Sequence, residues 1–408
     1  MALKIVIAAM SPARGSIVEC SHQLGRAFAQ HGHEVLHLST PVSPVHVARL
    51  GHVDVWRRLR ASLAGTVHLE PGLLDRVPFS LLPSWVPGHI ASVRNPMLVT
   101  VLPGLRRVLK GLGFQRVDAL LIGQPLFAGF WDYLDCRRIV YHPTDVYPLL
   151  MENPSVARLE RQILDVADAV ISASQPVHDH VMALTRRRLP TAVIENGVDY
   201  EHFSRPAPDP VEYRVIPAPR AVFVGSIDRR FDWEAIEMAA RALPHAQFVL
   251  IGPVTHPPSS RVTALRNIHV LGPRSYASVP GYLQHARVGL LPLSGHASNA
   301  GRSPMKLYEY LASGLEVVAR HTPELERRRE AALSLYHAAP ELPSALGRVL
   351  AGSVDRARVS RGAEEHSWTR IGRRFLSFVE TVPPVAERHP PLRRGRAPRS
   401  VRSSGAAP

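Results

Sequence analysis

The chain has 408 residues, 45% of them hydrophobic, with 49 basic side chains against 34 acidic ones and a formal net charge of +15. That length allows two or three domains with real cores, while Cys20 and Cys136, its only cysteines, exclude a disulfide framework and a cysteine-built zinc site. No uncharged apolar run approaches the roughly 18 residues of a membrane span, and Met1–Met10 lacks the anatomy of a signal peptide. The expectation is a cytoplasmic protein, at most peripheral on the inner face of the cell membrane.

The basic balance suits phosphate-bearing ligands, an anionic membrane surface or nucleic acid. No zinc finger, RNP-type aromatic motif or helix-turn-helix signature supports nucleic acid, which is not expected as a partner. Part of the charge is a tail over 381–408, rich in arginine and proline, with no acidic residue after Glu387. It reads equally as a solvated disordered end and as a membrane-touching one.

In chain order, Lys4–Ala9 is a buried strand, a turn follows at Met10–Ser16, and a helix runs to about Gln30. Gly32 ends it and Glu34–Leu38 is the next strand, so the chain opens as a βαβ unit. Gly15 lets the backbone approach a ligand at the helix start, although no G-x-G-x-x-G follows. Residues 41–115 break the alternation as a basic insertion. Val55–Leu63 and Met97–Lys110 mix apolar residues with arginine, as interfacial helices do, or they are ordinary helices packed on a domain.

The alternation then resumes with strands at Asp118–Ile122 and Arg138–Tyr141. His142 and Asp145 fall just past the second of these, where parallel sheets bind ligands. An Asx-type turn is the other reading of Asp145. Arg205–Arg220, with five prolines, reads as a linker. The second half restarts with the strand Ala221–Val224, the glycine turn at Gly225, and Arg229 and Arg230. It continues through Gly272 and Arg274 to a last amphipathic helix beginning near His366. Two alternating halves about a proline-rich joint give an α/β protein of two doubly wound, Rossmann-like domains facing a cleft. The boundaries are 1–204, a linker at 205–220, 221–365, a helix at 366–380 and the tail.

The stretch Ser303–Ala319 reads as helix, turn, strand. Pro304 suits a first helical position, Gly314 suits the stop, and Leu315–Ala319 enters a parallel sheet. Lys306, Glu309 and Tyr310 share a helix face, with Leu307 and Leu311 turned toward a core. A helix N-terminus with a lysine and a carboxylate one turn apart can hold a nucleotide, through its phosphates and its sugar hydroxyls. Lys4, Lys110 and Lys306 are the only lysines among the 49 basic residues, so a compact ammonium stands here in a chain that otherwise uses arginine.

Taken together, several segments resemble the GT-B glycosyltransferases, specifically the family-4-like enzymes and the teichuronic-acid and xanthan-type branch near them. They are Gly15 with Leu24 and Gly32–Val35; Ala167–Ile171; Ile194–Asp199 with Phe203; Phe223–Gly225; Phe231–Trp233; Leu271–Gly272; and Ser303–Ala319. The resemblance implies the GT-B fold, an acceptor on the N-terminal domain and a nucleoside-diphosphate sugar on the C-terminal one. It makes Glu309 the carboxylate for the donor ribose. Lys306 and the helix start at Ser303, Pro304, Met305 and Leu307 meet the diphosphate, aided by Arg229 or Arg230 after Gly225. Gly272 and Arg274 fall near the nucleobase, Arg14 and Gly15 on the acceptor side, and the last helix crosses back onto the first domain. The sequence departs from the family twice. A glutamate often found eight residues before Glu309 is Gly301 here, which leaves donor-sugar contacts to Ser298, Asn299 or backbone. Glu316 stands where proline is usual.

The implied function is transfer of a sugar from a nucleoside-diphosphate donor to a glycan, lipid-linked or natural-product acceptor. No cofactor and no metal are expected, since cations and a helix dipole can meet the charge that develops on the leaving diphosphate and no Asp-x-Asp occurs. If the reaction inverts, Asp145 is the first choice of base and His142 the second. A nucleotide-sugar 2-epimerase and a nucleotide-sugar-binding protein without catalysis are the alternatives.

Overall fold

The computed structural model describes residues 2–13, 18–47, 53–90 and 95–385. The acceptor-side candidates Arg14 and Gly15, and the tail beyond 385, lie outside the described residues.

The first domain is built on β1 (Lys4–Ala9), β2 (Glu34–Ser39), β3 (Thr66–Glu70), β4 (Leu73–Arg76), β5 (Ala119–Ile122), β6 (Ile139–Tyr141), β7 (Ala169–Ser172) and β8 (Thr191–Val193). The sheet order is β8-β7-β6-β5-β1-β2-β4-β3. All pairs are parallel except β3 against β4. β1 and β5 are apolar and buried almost throughout, as parallel strands covered on both faces must be.

The second domain contains β9 (Arg220–Val224), β10 (Gln247–Ile251), β11 (Ile268–Gly272), β12 (Val288–Leu291), β13 (Glu316–Arg320) and β14 (Leu333–Tyr336). They form a parallel sheet in the order β11-β10-β9-β12-β13-β14. Winding reverses between β9 and β12, and the crevice at such a reversal is where doubly wound sheets bind ligands. Gly225 follows β9 directly.

The insertion differs from its reading as two basic amphipathic helices. Val53–Leu63 is helical, but 66–76 pairs into the sheet as β3 and β4. Met97–Lys110 is three pieces: a helical turn at Pro96–Val99, a short strand at Val101–Leu102 and a helix at Leu105–Gly111. Pro103 and Gly104 break it, because proline lacks a donor and glycine takes φ +95°. Met97, Leu98, Val101, Leu105 and Leu109 enter the domain core, so most of the apolar face meets protein. Leu81, Trp85, Ile90, Val99 and Leu102 stay exposed around the two-stranded ribbon of Phe79–Ser80 and Val101–Leu102. No helix among the described residues is long and apolar enough to cross a membrane.

The last helix, Trp368–Thr381, returns to the first domain and lies along Cys20–Gln30. Trp368, Ile371, Phe375, Leu376 and Val379 bury themselves in a cluster with Leu24, Ala27 and Phe28. Each large side chain contributes about 2 kcal/mol of gross burial. A Cβ on Gly372 would lie 2.7 Å from that of Ala27, so glycine permits this close approach. The domains are also joined by Arg328, whose buried guanidinium pairs with Glu195 of the first domain, holds Glu324 at 2.6 Å and donates to Ser303 Oγ at 3.0 Å.

Candidate active site

The helix Met305–Ala312 has Pro304 as its N-cap, so it starts one position later than the sequence reading placed it. No side chain caps this end, so its first amides face the crevice unfilled. Gly314 at φ +77° stops the helix. Leu307 and Tyr310 point into the domain core, and the Tyr310 hydroxyl accepts from the Val224 amide at 2.8 Å. That bond ties the helix to the end of β9. On the opposite side, a Cβ added to Gly225 would lie 2.3 Å from Cε and 3.0 Å from Nζ of Lys306. Lys306 therefore reaches across the one position where the strand end carries no side chain.

Lys306, Glu309, Arg302 and Asp145 are crowded by protein yet keep some contact with solvent, as groups lining a deep cleft do. Among the described residues Lys306, Glu309 and Arg302 have no ion-pair or hydrogen-bond partner for their side chains. Burial, with Arg302 beside it, lowers the Lys306 ammonium to about 8, against the pull of Glu309. Burial raises the Glu309 carboxyl, partly offset by Lys306. Burial, then Arg230, holds Arg302 below an ordinary guanidinium. Charges without partners that line one cleft mark it as a candidate functional site.

Asp145 enters this group from the other domain. Its carboxylate accepts from Thr144 Oγ1 at 3.2 Å. Burial raises its pKa, opposed by Arg302, Thr144 and Arg230. His142 stands differently. Its Nδ1 donates to the Ile171 carbonyl at 2.7 Å and its ring meets Phe375 edge-on at 5.0 Å between centroids. Burial lowers it to about 4, so it is neutral at pH 7 and braces the crossover helix.

The other candidates divide. Arg230 binds Asp228 through two nitrogens and faces the same cleft. Arg229 points outward and reaches Glu152 of the first domain at 3.6 Å. Gly272 takes φ +72° with open space where a Cβ would be. Arg274 is committed elsewhere, donating to Tyr282 Oη at 2.9 Å, Leu271 O at 2.6 Å and Glu212 Oε1 at 2.8 Å, and so fastens the linker. Ser303 is a joint: its Oγ accepts from the Asn196 amide at 3.2 Å and its carbonyl from Asn196 Nδ2 at 2.8 Å. Met305 is partly buried against the crossover-helix cluster. Ser298 Oγ bonds His296 Nδ1 at 2.9 Å, and Asn299 Nδ2 donates to the Arg230 and Ser294 carbonyls at 3.0 Å each. Both side chains shape the loop.

Sequence reasoning passed over three groups. Arg302 carries no motif of its own. Tyr276 stacks on His202 at 4.4 Å between centroids, and its hydroxyl accepts from Gln23 Nε2 at 3.3 Å across the cleft. Glu19, before the first helix, accepts from Ser11 Oγ at 2.6 Å; burial raises its pKa against the pull of Ser11, His37 and Arg58, and Asp145 adds a smaller push in the same direction as burial.

Residues 218–351 match the family described as Glycosyl transferases group 1. Over 224 residues the chain is 31% identical to a Bacillus subtilis (strain 168) protein described as a teichuronic acid biosynthesis glycosyltransferase, TuaH, a match covering 51% of this chain and 56% of that one. The chain thus spans about half the length of that relative. The sucrose-phosphate synthase of Thermosynechococcus elongatus superposes with a TM-score of 0.64 at 16% identity, over 93% of this chain and 98% of that one. HepE of Anabaena, in complex with UDP and glucose, gives 0.64 at 15% identity, over 93% and 100%. Two parallel sheets facing one cleft, matched over nearly the whole chain, establish the GT-B fold, and residues 218–351 of the second domain match the glycosyl transferases group 1 family.

Proposed function

We propose that the protein transfers a glycosyl group from a nucleoside-diphosphate sugar to an acceptor held by the first domain. The observation that carries this is the placement of Lys306 and an uncapped helix start over Gly225, with Glu309 one turn on and Asp145 facing them from the other domain. In this reading Glu309 accepts from the ribose hydroxyls. Lys306 and the helix amides meet the diphosphate, where negative charge grows as the glycosidic bond breaks. Lys306, Arg302 and Arg230 supply the positive charge, so the reaction proceeds without a metal.

Asp145 takes the proton of the acceptor hydroxyl, with inversion at the anomeric carbon. Its raised pKa makes it a better base than a solvated carboxylate. The UDP held by HepE supports uracil as the base. A lipid-linked acceptor glycan is supported by the exposed Leu81, Trp85, Ile90, Val99 and Leu102, with Arg107 and Lys110 close in sequence. On this reading the enzyme works from the aqueous face of a membrane.

The test is a thermal-shift screen of nucleoside diphosphates and their sugars. A donor at 100 times its dissociation constant raises stability by about 2.7 kcal/mol. The Lys306→Met and Glu309→Ala variants should lose that shift and the parent should keep it. A screen with no stabilising nucleotide would sink the reading.

A further inference from the structure

The chain crosses between its domains at two neighbouring places, and His366 stands where they meet. The first crossing follows β8, at 195–198, and the second enters the last helix, at 366–368. The Val198 amide donates to the His366 carbonyl at 2.9 Å, and the Trp368 amide to the Val198 carbonyl at 3.0 Å. A Cβ on Gly197 would lie 2.7 Å from that His366 carbonyl, so glycine lets the two segments touch.

The His366 ring lies flat on Tyr308, with 3.9 Å between centroids and 17° between planes. Tyr308 belongs to the helix Met305–Ala312 that carries Lys306 and Glu309. Its hydroxyl donates to Glu195 Oε2 at 3.0 Å and accepts from Arg328 Nη1 at 3.4 Å. Two carboxylates flank the ring, one from each domain. Nε2 is 3.2 Å from Oε1 of Glu330, just before β14, and Nδ1 is 3.8 Å from Oε2 of Glu195. The second distance is beyond a hydrogen bond, and Nδ1 is buried with no hydrogen-bond partner among the described residues.

A neutral imidazole carries one proton. On Nε2 it serves Glu330 and leaves the Nδ1 lone pair facing Glu195. On Nδ1 it serves Glu195 and leaves the Nε2 lone pair against Glu330. The imidazolium alone has a proton for each carboxylate. The other charges nearby do not replace it. Arg328, on the helix Pro323–Arg328, pairs with Glu195 and Glu324. It opposes a second positive charge on this side of the ring, yet among the described residues Glu330 has no ionic partner other than His366. On the ring's own segment, Arg370 pairs with Glu364 and Glu365.

We propose that His366 is a proton-operated clamp at the domain joint. Its imidazolium ties Glu195 of the first domain to Glu330 of the second, and its neutral form releases one of them. Through Tyr308 the same ring steadies the helix Met305–Ala312, so proton uptake sets how firmly that helix is held against the first domain. His366 is thus a positioning residue, acting through Tyr308 and the joint. The rival assignment is a ring that only fills space on Tyr308 and is blind to pH. The clamp itself does not depend on the donor reading; its consequence for transfer does.

Melting of the full-length protein without nucleotide, between about pH 5 and pH 8, where histidine changes charge, separates the two. His366→Phe keeps a flat ring on Tyr308 and carries no proton. The melting temperature of the parent relative to this variant should rise by about 2–4 °C as the pH falls across that window, the size of one partly screened ion pair in domains this large. Low-pH compaction of the parent in small-angle scattering should accompany it and be absent from the variant. His366→Lys, charged throughout, should show no such pH dependence relative to His366→Phe. Glu330→Gln should lose at least about half of the parent's response, since one of two carboxylates is gone, and it serves as the independent test where His366→Phe does not fold. A parent–variant difference that is constant across the window, whatever its size, overturns the clamp in favour of the space-filling ring. So does a full parental response in Glu330→Gln. Because no nucleotide is present, failure of the donor site leaves this result standing, and failure of the clamp leaves the donor site untouched.

Discussion

Replacing Lys306 by methionine removes a charge while keeping a side chain of similar length in the space over Gly225. In the folded protein burial, reinforced by Arg302, lowers this lysine from 10.5 to about 8. At about 1.4 kcal/mol per unit, that gap is worth roughly 3 kcal/mol. Because the side chain keeps some contact with water, solvent screening discounts it to about 1–2 kcal/mol. The sign is fixed by the depressed value. Below pH 8 the lysine is charged in both folded and unfolded chains, and the full cost of holding the charge in the fold is present. Between pH 8 and 10.5 the folded protein gives up the proton while the unfolded chain keeps it, so this group makes stability rise with pH.

Lys306→Met should therefore melt higher than the parent at pH 7, by about 2–4 °C per kcal/mol, and the difference should close toward pH 10.5. Ligand binding should run the other way. The diphosphate needs the ammonium, so parental affinity for the nucleotide should fall above pH 8, by up to about tenfold per pH unit. The variant should bind at least about tenfold more weakly at pH 7, without that dependence. Differential scanning fluorimetry from pH 6 to pH 10, with and without nucleotide, reads both effects at once. A variant that melts lower than the parent at pH 7, or parental affinity that stays flat through pH 9, would refute the account of a strained cation held for a ligand.

Asp145→Asn should abolish transfer while leaving nucleotide affinity within about threefold, because the amide keeps the shape and loses the base. In the parent, the acid limb of the kcat/KM profile should fall above the ordinary carboxylate range, since burial raises this group; a limb below pH 4 would count against it. Gly225→Ala should weaken donor binding by about tenfold or more, because the new methyl occupies the place of the Lys306 stem, and should also lower the melting temperature, because φ +155° strains any side chain; unchanged affinity by titration would show that Lys306 does not need that path. Arg328→Met should strand Glu195 and Glu324 at the domain joint and cost about 3 kcal/mol in urea denaturation. A loss below about 0.5 kcal/mol would mean that the joint is not held there.

The parts of this molecule that were legible in its sequence are those whose causes are local. The helix after Pro304, its stop at Gly314 and the strand beyond them follow from proline, glycine and apolar spacing within one stretch. So do β1, β5 and the alternation that fixes two wound sheets. What was illegible depends on partners far along the chain. Glu316 looked anomalous until Arg287, 29 residues earlier, was found holding it at 2.7 Å. Arg274 read as a nucleobase neighbour, yet Glu212 and Tyr282 claim it for the linker. Met97–Lys110 had the composition of an interfacial helix, but composition does not say which body the apolar face meets. Here it meets the domain's own core. β3 and β4 were missed because they are short, partly exposed and mixed in character.

Gly301 joins these threads. Read alone, it is a missing carboxylate and an argument for lost catalysis. In the fold it is one contact point of the two domains, where Ser174, Val146 and Val177 meet it. A side chain at that position would have to displace the valines, so the glycine and the close approach of the domains depend on each other. That approach is also what sets Asp145 beside Arg302 and Arg230. The second domain thus offers no carboxylate at 301, while the first brings the Asp145 carboxylate toward Arg302 and Arg230. Arg302 and Lys306 share this cleft without side-chain partners among the described residues, and burial disfavours the charge on each. Charges held at a cost to stability are the physical argument for a ligand in this cleft.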